Sequence, residues 1–137
     1  MGYVNDYANL LTPNEKHHMD WLLKTFSRES RTDTIIIIVK DSGDLTPEQY
    51  AYWLFNCWKL RRLGRTGFLI LVSLKERRVE TEIGFGFEKI FSEADAENLL
   101  DHILIPHFKK GWYGSGLLHA VRELTKSLYQ KTGMAHA

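Results

Sequence analysis

Acidic side chains are the residues of this sequence whose type and spacing best lend themselves to chemistry. Glu93, Asp95, Glu97 and Asp101 recur within a short stretch. Glu93 to Glu97 and Glu97 to Asp101 are like-charged i, i+4 pairs, which cost an isolated helix a few tenths of a kcal/mol. A bound cation would relieve that repulsion, and so would an open, solvated face; the spacing admits both. Asp41 and Asp44 flank Ser42-Gly43 just past a run of β-branched residues. In an open α/β sheet, ligands gather beyond the carboxyl ends of strands, where strand order switches.

Other reactive residue types fit their usual motifs poorly. Gly84-Phe85-Gly86-Phe87 matches neither common glycine-rich phosphate fingerprint, and no Gly-Lys-Ser/Thr follows. It reads instead as a turn out of a strand that plants two aromatic rings. The six histidines are scattered, and His102 and His107 straddle Pro106 at a spacing no zincin uses. Gly114-Ser115-Gly116 lacks the preceding strand a nucleophile elbow requires. Cys57 is the single cysteine, which excludes an intrachain disulfide and a thiolate metal cluster. Its place among Trp53, Leu54 and Trp58 suggests a buried, inert thiol.

The elements that must position these residues are marked by capping chemistry. Thr12-Pro13-Asn14-Glu15 and Thr46-Pro47-Glu48-Gln49 each offer a hydroxyl cap, proline at the first helical position and a polar side chain able to reach back. Ser92-Glu93-Ala94-Asp95 is a weaker version. Helices are expected over about Pro13–Ser30, Pro47–Arg62, Glu93–Leu104 and Ser115–Lys131. In the second, Tyr50, Trp53, Leu54, Cys57 and Trp58 are expected to line one face. Pro106 falls in an apolar pattern and predicts a break or kink there. Beyond it, Gly111, Gly114 and Gly116 surround Trp112 and Tyr113 in a loop composed for a fixed shape.

Thr34–Val39 is a continuous β-branched run, the signature of a strand covered on both faces. A second strand is expected over Phe68–Leu74. A third, over Arg78–Ile83, alternates charge with apolar residues and predicts a half-exposed or edge strand joined by a hairpin through Lys75-Glu76. A helix between the first two strands implies a right-handed parallel crossover. The expected fold is therefore α/β: a three-layer α-β-α sandwich around a small mixed sheet, Rossmann-like.

With 137 residues, 44% hydrophobic and 26% charged, the chain suits one soluble domain. A net charge of +1 argues against nucleic acid as a partner, because that footprint is a concentrated basic surface. Lys59, Arg61, Arg62, Arg65, Lys75, Arg77 and Arg78 read as solvated charges at a helix end and a hairpin. No stretch approaches the ~20 apolar residues of a membrane span, and no signal region opens the chain.

The Gly2–Thr12 segment, the Gly67–Val72 strand, the Arg77–Glu88 block and the Ile105–Leu117 loop occur in an order that resembles the TPM domain family. That family is named for a thylakoid lumen protein, a photosystem II repair protein and a worm receptor modulator. The resemblance spans about residues 2–126. Members typically carry a signal sequence before the domain and often a membrane helix after it, so this sequence is expected to be an excised domain or a naturally short one. The resemblance implies an extracytoplasmic or membrane-attached setting, with membrane association through flanking segments.

Calcium binding and acid phosphatase activity have been described or proposed for members. Oxygen ligands would suit calcium, a hard cation. The resemblance nominates Asp6, in Val4-Asn5-Asp6, and Glu93, where Ser92-Glu93 replaces the proline-aspartate the family often has; with Asp41 and Asp44, placed past the strand end, they are the weak metal candidates. Arg77 matches the family arginine and is suited to bidentate binding of phosphate or carboxylate; pairing with Glu82 or Glu88 is the structural alternative. Where many members carry an acidic residue and asparagine before the second-strand glycine, this chain has Arg65-Thr66. A guanidinium there weakens a cation site.

Two functions follow. The favoured one is a non-catalytic interaction module of the cell envelope that contacts a protein partner through Asn5, Gly84, Gly86, Trp112 and Tyr113, with Tyr52, Phe55, Phe85 and Phe87 extending the surface. The other is a divalent-metal phosphatase using Asp6, Arg77 and Glu93.

Overall fold

The computed structural model describes residues 2–59, 66–84 and 92–132. In chain order the elements are β1 (Val4–Asp6), α1 (Pro13–Ser30), β2 (Thr32–Val39), α2 (Pro47–Lys59), β3 (Thr66–Ser73), β4 (Arg78–Ile83), α3 (Glu93–Lys109) and α4 (Tyr113–Thr132). The strands form one sheet in the order β1-β2-β3-β4. β1, β2 and β3 run parallel, and β4 turns back antiparallel to β3, pairing Val72 with Val79 and Phe68 with Ile83. This is the mixed sheet between helical layers that the sequence predicts.

Alternation along the strands decides which layer each residue meets. Ile36 and Ile38 of β2, with Phe68, Ile70 and Val72 of β3, face the core built with α1, α3 and α4. Ile35, Ile37 and Val39, with Leu69 and Leu71, face α2 alone. Every residue of β2 is buried, as expected for a strand covered twice. On the larger face Phe26 meets Tyr129 edge-on at 5.1 Å between ring centres. Each such fully buried large side chain contributes roughly 1.5–3 kcal/mol.

The caps form as the sequence predicts. Thr12 Oγ1 accepts the Glu15 amide at 3.2 Å, while the Thr12 amide donates to Glu15 Oε1 at 2.9 Å. Thr46 and Gln49 repeat the exchange at 3.1 and 3.0 Å. Ser92 forms the single bond, accepting the Asp95 amide.

Three expectations need correction, and a fourth is met in part. β1 was not anticipated, because only Val4 among its three residues is buried and apolar. Helix α3 does not stop at Leu104 but continues through Pro106 to Lys109. Proline there removes only the bond to the His102 carbonyl, and both residues lie on an exposed face where water can serve. On α2 the buried stripe is Ala51, Phe55 and Trp58, spaced i, i+4, i+7; Trp53 is turned outward and Cys57 is exposed. β4 is an edge strand in the sheet, yet it is mostly buried, because α3 and α2 pack over it.

Candidate functional site

Three parallel strands end at the same pole, and the chain converges there. α1 and α2 start from it, α3 finishes at it and α4 leaves from it, so this crown is the place where the topology gathers side chains from distant segments. Its loops are stiffened by named contacts. Leu74 and Lys75 amides bond to the Val39 and Lys40 carbonyls at 3.1 and 2.9 Å, carrying the parallel ladder past the strand ends. Glu76 Oε1 accepts the Ser42 amide at 2.9 Å, the Ser42 hydroxyl at 2.8 Å and the Ser73 hydroxyl at 3.0 Å. These donors, the Ser42 amide foremost, hold the Glu76 carboxyl below its ordinary range.

The corner between α3 and α4 is equally determined. The Trp112 amide returns to the His107 carbonyl at 2.9 Å, and Gly111 sits at φ 76°, a left-handed conformation that favours glycine. His107 Nδ1 lies 2.8 Å from the Ile103 carbonyl. Gly116 lets α4 approach α3 closely: a Cβ there would stand 2.6 Å from His107 Cβ. Gly114 does the same towards α1, where a Cβ would meet the Glu15 carboxylate.

Between the β3–β4 turn and this corner opens a cleft of about 540 Å³. Its apolar wall is made of Leu74, Ile105, Phe108 and Tyr113, the last two rings 4.9 Å apart. Arg77, Lys109 and Lys110 supply the charges, with Gly111 completing the lining, and no carboxylate of the described residues lines it. Arg77 makes no ion pair among the described residues, and its φ of 54° holds it in the hairpin turn. Beside the cleft Trp112 is 56% exposed, with Lys110 Nζ 4.8 Å above its ring.

The nominated carboxylates are occupied differently. Asp6, at the end of β1, accepts the Leu10 amide through Oδ1 at 3.0 Å and the Leu11 amide through Oδ2 at 2.7 Å, fastening the turn into α1. Asp41 Oδ1 accepts the Gly43 amide at 2.8 Å, and Asp44 is exposed. Glu93 opens α3 at the pole opposite the crown, so Asp6 and Glu93 do not share an end of the sheet. Among the described residues no three His, Cys, Asp or Glu side chains assemble as metal ligands. Calcium takes ~6–8 oxygens, and Asp6 and Asp41 already give carboxylate oxygens to backbone amides. Asn5 is likewise committed, its amide donating to the Gly2 carbonyl at 2.9 Å. Gly84 closes β4 by donating its amide to the Gly67 carbonyl at 2.8 Å. Gly86, Phe85, Phe87, Glu88, Arg61, Arg62 and Arg65 lie outside the described residues.

Two members of the acidic run of α3, Glu97 and Asp101, do assemble, but as a seam with β4. Arg78 donates to the buried carboxylate of Glu80. Burial first, and then the Glu80 charge, push the Glu97 carboxyl above its ordinary range. Burial likewise raises Asp101, while the Arg78 guanidinium opposes that shift.

Sequence reasoning identified Arg77, Trp112 and Tyr113 at the crown and missed Leu74, Ile105, Lys109 and Lys110. The available signal was Lys109-Lys110-Gly111, a basic pair at a helix end followed by a helix-stopping glycine.

No curated protein matches the chain by sequence. Among solved structures, the N-terminal domain of a protein from P. gingivalis superposes with a TM-score of 0.88 at 24% identity, covering 98% of this chain and 87% of that one. The BA42 protein from the psychrophilic bacteria Bizionia argentinensis gives 0.72 at 15% identity, over 91% and 86% of the two chains. The N-terminal domain of the cg2496 protein from Corynebacterium glutamicum gives 0.68 at 12%, over 93% and 80%. At these identities the likeness speaks for the fold. The TPM domain family's sequence profile matches residues 4–127, nearly the whole chain. By that match the chain belongs to the TPM domain family.

Proposed function

We propose that the chain is a non-catalytic interaction module of the cell envelope that assists or regulates a membrane-associated partner and meets it at the crown. The observation that carries this reading is the cleft itself: apolar walls, three cations, no carboxylate among the described lining residues, and Trp112 exposed beside it. Aromatic residues and arginine are enriched at the centres of protein interfaces. No helix among the described residues is long and apolar enough to cross a membrane. In this reading membrane association comes through flanking segments, as the family resemblance implies, and the location is checked by fractionating cells that express the tagged full-length protein.

A second reading is a divalent-metal phosphatase. In its favour, Asp6 and Arg77 both belong to the crown. Against it, a metal-dependent hydrolase needs a charged clamp and an activated water, and both Asp6 oxygens are engaged by backbone amides.

Thermal melts in EDTA, then with calcium, magnesium or manganese, separate the two, alongside turnover of p-nitrophenyl phosphate. The interaction reading predicts neither a shift nor turnover. A ligand at 100 times its Kd stabilises by ~2.7 kcal/mol, which for a chain of this size raises the midpoint by roughly 3–6 °C. Such a shift with one ion, abolished together with turnover by Asp6→Asn, would put the phosphatase first.

A further inference from the structure

We infer that the crown cleft binds an acidic segment of a protein partner, an extended peptide whose carboxylates flank an aromatic or branched aliphatic side chain. The inference rests on the crown being the docking face.

Charge is the first ground. The chain carries a net charge of only +1, yet Arg77, Lys109 and Lys110 converge on one cleft with no carboxylate of the described residues in its lining. Glu76, the neighbour of Arg77, is turned to Ser42 and Ser73, so its oxygens are taken up by those donors. The three cations come from two elements, the β3–β4 turn and the end of α3, and so can meet carboxylates at separate points along a chain. Arg77 presents a planar fork suited to a carboxylate, while the lysines act as point charges.

The apolar wall is the second ground, because it excludes simpler anions. A free phosphate would satisfy the cations and leave Leu74, Ile105, Phe108 and Tyr113 uncovered. Ile105 is half exposed, and Trp112 more than half. A nucleic acid calls for a longer basic track, because its affinity comes from neutralising successive backbone phosphates with Lys and Arg. A peptide can set one apolar side chain against the wall and place its carboxylates on the rim. The cleft volume of about 540 Å³ accommodates an aromatic ring.

The test is fluorescence anisotropy with a short fluorescein-labelled peptide, Asp-Glu-Asp-Phe-Glu-Asp-Leu-Glu. Its counterpart carries Asn and Gln in place of every acid. The acidic peptide should bind at least ~10-fold more tightly than the amide version and weaken as salt rises. Lys109→Glu combined with Lys110→Glu should cost at least ~10-fold. Lys109→Gln with Lys110→Gln should cost less, and a melt of each variant establishes that it is folded. Lys126→Glu is the control: it lies 13 residues along α4 from Tyr113, ~20 Å at the helical rise, and outside the cleft. It should leave binding unchanged.

Equal binding of the acidic and amide peptides overturns the inference, as does indifference to the lysine variants. So does displacement of the peptide by inorganic phosphate at matched ionic strength, which marks a small-anion site. Tighter, lysine-dependent binding to phosphatidylserine vesicles than to the peptide would assign the cleft to a membrane surface instead. If the peptide fails while metal and phosphate-ester assays stay blank, the acidic segment falls and the interaction reading stands. Metal-dependent turnover would remove both.

Discussion

Helix α3 carries its charges in two blocks, and the blocks meet different fates. Its beginning is acidic, and Glu97 and Asp101 are drawn against the Arg78–Glu80 pair of β4 in a partly buried seam. Its end is basic, and Lys109 and Lys110 face the crown cleft. Both blocks complement the helix dipole, which favours anions at the start and cations at the end. Arg77 and Arg78 divide in the same way: the first lines the cleft, the second is consumed by Glu80. Charge placed between packed elements is neutralised internally, whereas the same kind of charge at the pole where loops meet stays available to a partner.

The contrast breaks most severely where α3 and α4 touch. Gly116→Val should cost about 2–3 kcal/mol through overpacking against His107, read as a fall in the urea midpoint, and should open the cleft at its α4 side. At the other end, Arg78→Met leaves Glu80, 6% exposed, without its cation. The expected loss is about 1–2 kcal/mol at neutral pH and less in acid, where carboxyls protonate. Lys109→Glu with Lys110→Glu opposes the dipole and should lower stability by no more than ~1 kcal/mol while abolishing most anion affinity.

The smallest effect has the opposite sign. Because the folded-state value of Glu97 is raised, its contribution is fully present below the ordinary glutamate range and lost as pH rises through the raised value. Glu97→Gln should therefore stabilise the protein at neutral pH, by less than ~1 kcal/mol since the group remains partly solvated, and flatten that part of the stability profile. Melts of both proteins across the carboxylate range give the sign directly.

The parts of this molecule that were legible in its sequence depend on neighbours in the chain. The capping boxes at Thr12 and Thr46, the doubly covered β2 and the β3–β4 turn are all local patterns, and each forms where the residues predict. β1 was hidden because its strand character comes from pairing with Ile36, Ile37 and Ile38 of β2 rather than from its own composition. Trp53 turns outward because the sheet-facing side of α2 is taken by Ala51, Phe55 and Trp58, a choice of face that only the packed sheet reveals. The cleft was hidden for a related reason. Leu74 and Ile105 carry no charge that marks a site, and only the return of β4 and the passage of α3 through Pro106 bring them together.

In the sheet, spatial order equals chain order, with each strand lying beside the one made before it. A growing chain can thus extend the sheet as it emerges, without waiting for a distant partner to be synthesised. Completion falls to α4, whose Leu117, Val121, Leu124 and Leu128 join a core shared with α1 and α3. Until those last turns arrive, the apolar sides of both earlier helices stand open to misassociation. Synthesis halted before Tyr113 would yield a chain with its strands in place and its larger core unsealed, a natural substrate for chaperones and proteases.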